Sequence, residues 1–469
     1  MIKSLPNFDI KNIGYKMSAK HYEVIVVGGG ISGAAMFFEL AKYSDVKNIC
    51  LLEKYEDLAT LNSKGTSNSQ TIHVGDIETN YTFEKAKITK RTAKMIEKFC
   101  LAYNLQDKIM FKHQKMALGV GEKEVKFITD RYNQFKEIFP YLELWDKEAL
   151  REKEPLLVYA DKERTKDRPE PIVAMGTNDQ YTTVDFGAMT KELVKAAKEA
   201  DSSKITDVFF NSEVDEIEKI DKMFKVTTTK GDVYTADFVV VNAGAHSLYL
   251  AHKMGHGKHM GSLSMAGSFY ITNGTYLNGK VYMVQNDKLP FAALHGDPDI
   301  LCEGKTRFGP TALALLVLER YKGGKSFFQC LKTLNFDGSI MKIFWDLLKD
   351  SDIRNYVFKN FLFEIPGINK KLFVKDAQKI VPSLSVDDIE YAKGFGGVRP
   401  QVLNKTEKKL MLGEASITEE AGIIFNMTPS PGATSCLGNA ERDIKIVTKH
   451  LGKTFYEDKF LADFTDDKQ

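Results

Sequence analysis

The chain has 469 residues, 43% hydrophobic and 27% charged, the make-up of an ordinary folded protein with room for two or three domains' worth of core. A formal net charge of +2 lacks the basic excess expected of a nucleic-acid binder. Five scattered cysteines (Cys50, Cys100, Cys302, Cys330, Cys436) with no CxxC pair supply neither a disulfide framework nor a metal site, the usage of a reducing compartment.

The first sixteen residues mix charge evenly with apolar residues and lack the apolar core of a signal peptide, so residues 1–16 read as a tail and Met17 as an alternative start. No apolar run approaches the roughly 18 residues of a membrane-spanning helix. The expectation is a cytoplasmic protein, soluble or peripheral.

The stretch "EVIVVGGGISGAAMFFELAKYSDVKNICLLEK" (residues 23–54) then reads as strand, glycine turn, helix and second strand, ending on an acid. Its β-branched run suits a strand buried on both faces. Gly28, Gly30 and Gly33 fit GxGxxG, serving the tight turn, the approach of a pyrophosphate and the packing of helix on strand. The helix from Ile31 and Ser32 points free N–H groups at the phosphates. Glu53, twenty residues past Gly33, stands where a carboxylate accepts bonds from a ribose diol.

A second dinucleotide fingerprint is missing. "LGVG" (residues 118–121) and "GFGGVR" (residues 394–399) lack the spacing and the following helix. One unit favours a dinucleotide that stays bound and carries its own redox ring, which is FAD. The segment from Asn68 through Ser69, Gln70 and Thr71 is expected to run along the flavin. Residues 224–247, "FKVTTTKGDVYTADFVVVNAGAHS", read as two short strands around a Gly-Asp turn and a buried strand ending at Ala243 and Gly244, which returns the chain to the FAD. Near the C-terminus Gly432, Ala433, Thr434 and Ser435 precede a helical pattern whose N-terminus is placed to face the flavin pyrimidine.

Six stretches now carry a resemblance: "NSQTIHVGDIETNYT" (68–82), "GSFY" (267–270), "KLPFAALHGDPD" (288–299), "GKTRFGPTA" (304–312), "GFGGVRPQV" (394–402) and "NMTPSPGATSCL" (426–437). With them the chain from about Met17 onward resembles the malate:quinone oxidoreductases, in the form found in epsilonproteobacteria, and more distantly the D-amino-acid-oxidase-like flavoproteins. The resemblance implies an α/β fold, a Rossmann-type FAD-binding domain with a discontinuous α+β substrate domain. It also implies FAD-dependent oxidation of (S)-malate to oxaloacetate, with membrane quinone as electron acceptor and no metal. Relatives take lactate or 2-hydroxyglutarate, so the alternative is a dehydrogenase or oxidase of another 2-hydroxy acid.

Oxidising a secondary alcohol needs a base for the hydroxyl proton and cations for the carboxylates. Of the nine histidines, His73 and His295 lie in Gly-flanked, loop-like settings. His295, with Asp297 beside it, is the expected base, and His73 the expected contact to flavin or substrate. Arginine's bidentate fork suits a carboxylate. Arg399 takes the position of a carboxylate-binding arginine in the resembling enzymes, with Arg307 second and Lys305 third.

These pieces divide the chain into an FAD-binding half (17–90, 180–252, 390–455), a substrate half (91–179, 253–389) and a C-terminal tail (456–469). Within the substrate half, residues 319–360 read as a helix pair carrying Arg320, Lys322, Lys325, Lys332, Lys342, Lys349, Arg354 and Lys359 beside Phe327, Phe328, Phe344 and Trp345. Such a pair suits the anionic inner face of the cell membrane.

Overall fold

A computed structural model describes residues 20–285, 294–365, 367–411, 413–429 and 431–466. The expected N-terminal tail, Met17 and the 288–293 part of "KLPFAALHGDPD" lie outside the described residues.

The β-branched run forms the strand Lys20–Val27, paired in parallel with Asn48–Leu52 on one side and Val233–Val241 on the other. Ile205–Phe209 and Ile423–Met427 continue this sheet outward, and the edge strand Ala415–Ile417 closes it. Alternation sends Val24 and Val26 into one apolar core and Ile25 and Val27 into another. That double burial is why the run is continuously apolar. On the first face pack the helices Ile31–Tyr43, Phe83–Ala102, Phe186–Glu199 and Cys436–Leu451. The second hairpin strand and the buried run expected over residues 224–247 are one nine-residue strand, Val233–Val241. From Tyr234 to Val241 it pairs in parallel with Lys20–Val27, while on its other edge Val233–Ala236 pair antiparallel with Met223–Thr228 and Val239–Val241 in parallel with Ile423–Met427.

A second eight-stranded sheet runs in the order Ile389–Tyr391, Tyr270–Thr272, Thr306–Gly309, His295–Pro298, Lys280–Met283, Lys115–Val120, Ile172–Thr177, Glu143–Trp145. A four-stranded sheet, with Met260–Ala266 and Val398–Asn404 at its centre, stands beside it.

Three boundaries differ from expectation. The helix Phe83–Ala102 straddles the expected cut at 90 and gives Met95, Ile96 and Phe99 to the first core. The strand Val398–Asn404 joins Met260–Ala266 and not the dinucleotide sheet. The expected C-terminal tail contains the helix Glu457–Phe464, whose Phe460 and Phe464 are buried against Phe38 and Tyr43. A short run after a Gly stop resembles a tail because its two anchoring rings lie four residues apart and show their burial only against partners more than 400 residues upstream. Phe460→Ala is therefore expected to lower stability by about 3–5 kcal/mol. An unchanged urea midpoint would show that this helix only decorates the core.

Candidate functional site

At the end of the first strand Gly28 turns with φ +109°, and a Cβ there would stand 2.5 Å from the Asn242 carbonyl oxygen. A Cβ on Gly33 would stand 1.9 Å from the Gly28 carbonyl oxygen, so helix and strand meet only because both positions are glycine. Gly30 is different: its nearest obstruction is Ser63 Oγ at 3.2 Å, and it faces an open cleft. The Ile31 N–H donates to that same Ser63 Oγ at 2.9 Å. Glu53 accepts from the Gly29 N–H at 2.6 Å and from the Tyr55 N–H at 2.8 Å, leaving lone pairs for a ligand in the cleft. Burial raises its carboxyl above the ordinary range, and these two N–H groups oppose the rise.

The cleft is continuous from this turn to the far strand ends. Ser32, Asn68, Ser69, Thr71, Ala243, Gly244, Gly432, Ala433 and Thr434 line it along with Gly28, Gly30, Ile31 and Glu53. Three expected contacts stand back from the wall. Gly33 serves packing alone, Gln70 is fully buried with its amide donating to Gly65 O and Asp299, and the Ser435 hydroxyl donates to Glu414. Reading from sequence passed over Asn62 and Ser63. Their signal, a polar "LNSKG" loop after the ribose acid, does not distinguish them from any turn.

His73 lines the cleft. Its Nδ1 lies 2.7 Å from Glu78 Oε1, its Nε2 3.5 Å from Ser69 Oγ, and its N–H donates to Thr434 Oγ1. Burial alone would push the Glu78 carboxyl up, but the hydrogen bond and charge of His73, with the charge of Lys115, bring it down to about 2. Glu78 is thus ionised at working pH and holds the imidazole with Nε2 toward the cleft. Arg399 lines the same wall, and no hydrogen bond or ion pair ties its guanidinium among the described residues. Its backbone is fixed instead: Asn62 donates to Val398 O at 2.8 Å and accepts from Val398 N–H at 2.9 Å. Gly396 and Gly397 permit that approach, since Cβ atoms there would stand 1.9 Å from Gly267 O and 2.6 Å from Asn62 Oδ1.

His295 and Asp297 lie elsewhere. They belong to a strand, His295–Pro298, not to a loop, and among the described residues neither lines the cleft. His295 Nδ1 is 2.5 Å from Asp297 Oδ2, and both side chains are buried. Burial holds the imidazole below its ordinary range, Lys280 and Arg307 add to this, and Asp297 partly offsets it. The Tyr282 ring stacks on His295 at 4.4 Å. Arg307, a candidate substrate cation from sequence, is fully buried, 3.3 Å from Asp299 Oδ2 and donating to Gly65 O. It neutralises buried carboxylates, while Lys305 is exposed.

Gly30→Val places a branched side chain in the cleft without obstructing the backbone. We expect a folded protein that no longer retains a dinucleotide, checked by circular dichroism and by the absorbance of the released cofactor. A folded variant with full cofactor occupancy would show that the phosphates lie elsewhere.

The profile of the malate:quinone oxidoreductase (Mqo) family matches residues 20–460. A probable malate:quinone oxidoreductase of Campylobacter jejuni is 58% identical over 449 residues, covering 95% of this chain and 100% of the relative. A malate:quinone oxidoreductase of Helicobacter pylori is 46% identical over 445 residues, covering 95% and 98%. Among solved structures, the FAD-bound L-α-glycerophosphate oxidase of Mycoplasma pneumoniae superposes with a TM-score of 0.64 at 18% identity, covering 92% of this chain and 95% of that one, a likeness of fold. With the glycine cradle, the cleft and near-complete coverage of these relatives in agreement, the chain belongs to the malate:quinone oxidoreductase family.

Proposed function

We propose that this chain oxidises (S)-malate to oxaloacetate with FAD as resident cofactor and delivers the electrons to a quinone in the membrane. The observation that carries the reading is the joint presence, in one dinucleotide cleft, of the His73–Glu78 pair and of Arg399, whose guanidinium no hydrogen bond or ion pair ties among the described residues. The cradle fits FAD: Gly30 leaves room for a pyrophosphate, Glu53 offers lone pairs to a ribose, and residues 68–73 and 432–434 extend the wall toward the redox ring. When bound, FAD supplies a two-electron acceptor for the hydrogen on the alcohol carbon and a carrier of reducing equivalents to quinone.

The protein's own groups do the remainder. Arg399 takes a malate carboxylate in its fork and so orients the alcohol carbon. His73 Nε2 removes the hydroxyl proton, and Glu78 stabilises the imidazolium that results. This exchanges the roles expected of the two histidines, because His73 faces the cleft and His295 sits behind Tyr282. His73→Asn is expected to slow flavin reduction by about 10²-fold or more. Arg399→Lys is expected to raise the malate dissociation constant while flavin stays bound, since a point charge replaces a fork. Stopped-flow reduction by malate, lactate and 2-hydroxyglutarate decides the substrate, and faster reduction by either of the other two acids removes malate from the assignment.

Among the described residues no helix is long and apolar enough to cross a membrane. The expected helix pair is three helices, Lys325–Leu334, Gly338–Lys349 and Ser351–Leu362. They expose Phe328 (65%), Trp345 (63%) and Phe358 (63%), with Leu331, Met341 and Phe361 also exposed. Several expected lipid-facing cations also have protein partners: Arg320 is buried and donates to Ser268, Lys325 pairs with Glu213, Lys359 with Asp376, and Lys342 and Lys349 share Asp346 at the surface. Phe344 packs inward against Ile340, Ile343 and Leu403. Exposed rings beside Lys332, Lys342 and Lys349 suit the headgroup region of an anionic bilayer. The double change Phe328→Glu, Trp345→Glu is expected to release the protein from anionic vesicles and lower turnover with a long-chain quinone, with dye-linked turnover preserved. A parallel loss of both activities would place these rings in the fold and not at the membrane.

A further inference from the structure

We propose that Lys280 and Tyr282 are positioning residues for His73, forming with His295 and Asp297 a polar plate that clamps the segment of residues 69–73. This rests on the assignment of His73 as the base.

The plate follows from strand geometry. On Lys280–Met283 alternate side chains share a face, so Lys280 and Tyr282 point one way while Val281 enters the apolar core on the other. On the neighbouring strand the same alternation puts His295 and Asp297 together, and the register sets Tyr282 directly opposite His295. Tyr282 and His295 stack at 4.4 Å with an interplanar angle of 21°. Asp297 lies 2.5 Å from His295 Nδ1 and 3.5 Å from Lys280 Nζ.

Among the described residues, the side-chain hydrogen bonds that leave this face go to the same five-residue segment. Lys280 Nζ donates to Ser69 O at 3.1 Å. The Thr71 hydroxyl donates to Ser69 O at 3.0 Å and accepts from the Tyr282 hydroxyl at 2.8 Å. The Tyr282 ring meets the His73 ring edge-on, 6.1 Å between centroids at 83°. Gln70, inside this segment, holds φ +52°, a left-handed backbone uncommon outside glycine, so the segment is bent and needs support on both sides of the bend. A buried lysine is costly unless paired, and Lys280 spends its charge on Asp297 and a main-chain carbonyl of this segment. The charged groups around His73 are Glu78 on its own segment and Lys115 from the adjacent strand acting on Glu78. Behind Tyr282 stand Lys280, His295 and Asp297, and Arg399, which lines the cleft, acts on Tyr282.

The test uses the FAD-loaded enzyme and stopped-flow reduction by (S)-malate. Tyr282→Leu removes the ring and hydroxyl and is expected to slow reduction by about 10²-fold, the scale of a misplaced catalytic group. Malate affinity is expected to stay unchanged. Tyr282→Phe keeps the stack and is expected to lose only about fivefold, the scale of one neutral hydrogen bond. Thr71→Val deletes the same bond from the other side, and its rate decides the matter if Tyr282→Leu does not fold. Reduction at the wild-type rate in Tyr282→Leu or, failing that, Thr71→Val overturns the proposal. So does a slowing confined to malate affinity. If His73→Asn itself reduces flavin at the wild-type rate, the base assignment falls and this inference with it. Collapse of His73→Asn beside unaltered Tyr282 and Thr71 variants sinks the inference alone.

Discussion

The cleft depends on the placement of one doubly buried strand, Lys20–Val27, whose carboxyl end abuts helix, neighbouring strands and ligand cleft at once. In an open parallel sheet, ligands gather beyond the carboxyl ends of the strands. Here the glycine turn follows the first strand, Glu53 the second, and Ala243 the strand on the other side. The three stay in register because Val27 pairs with Leu52 and with Val241. Packing tolerances are tight where these elements meet. Side chains at Gly28 or Gly33 would run into backbone, so strand, helix and Asn242 fix one another's positions.

The chemical end of the cleft draws on the other two sheets, and short polar clasps join both to the dinucleotide half. Asn62 makes a two-bond hold on Val398, and Lys280 and the Tyr282–Thr71 contact hold residues 69–73. Such contacts add little net stability, since a buried ion pair recovers scarcely more than its desolvation cost. Their effect is geometric. They set Arg399 and His73 on a common wall although these residues come from opposite ends of the chain. Burial alone would raise the Asp297 carboxyl, yet His295, Lys280 and Arg307 hold it well below the ordinary range. The cations near the cleft are thus divided: some neutralise buried carboxylates, while no ion pair engages Arg399 among the described residues.

The helix Lys325–Leu334 has two surfaces with different tasks. Lys325 and Gln329 turn toward the cleft, Cys330 packs under Leu318 and Ala245, and Phe328 and Leu331 face outward. The apolar exposure continues on the next two helices. A hydrophobic exterior on a helix whose other side lines the cleft brings the cleft close to the surface proposed for the membrane, and among the described residues no helix is long and apolar enough to span one.

The dinucleotide half was legible because its signal is local. A β-branched run, three glycines and an acid within some thirty residues constrain strand, turn, helix and strand through near neighbours, and the quoted motifs carried the family. The reading also put Arg399 first among the candidate cations, on the Gly-Gly approach written beside it, and the residue lines the cleft. It ranked His295 ahead of His73 as base and Arg399 ahead of Arg307 as the carboxylate cation, and it passed over Lys280 and Tyr282. Those distinctions are decided by which face a strand residue takes and how deep it lies, and the flanking sequence is compatible with either face. His295 looked like a loop histidine until its strand paired with Lys280–Met283 and put the Tyr282 ring over it. Spacing determined that a dinucleotide is held, and the resemblance carried by the quoted motifs implied that an alcohol is oxidised. Which imidazole meets the cleft was decided by the register of two strands, through contacts between residues more than 200 positions apart.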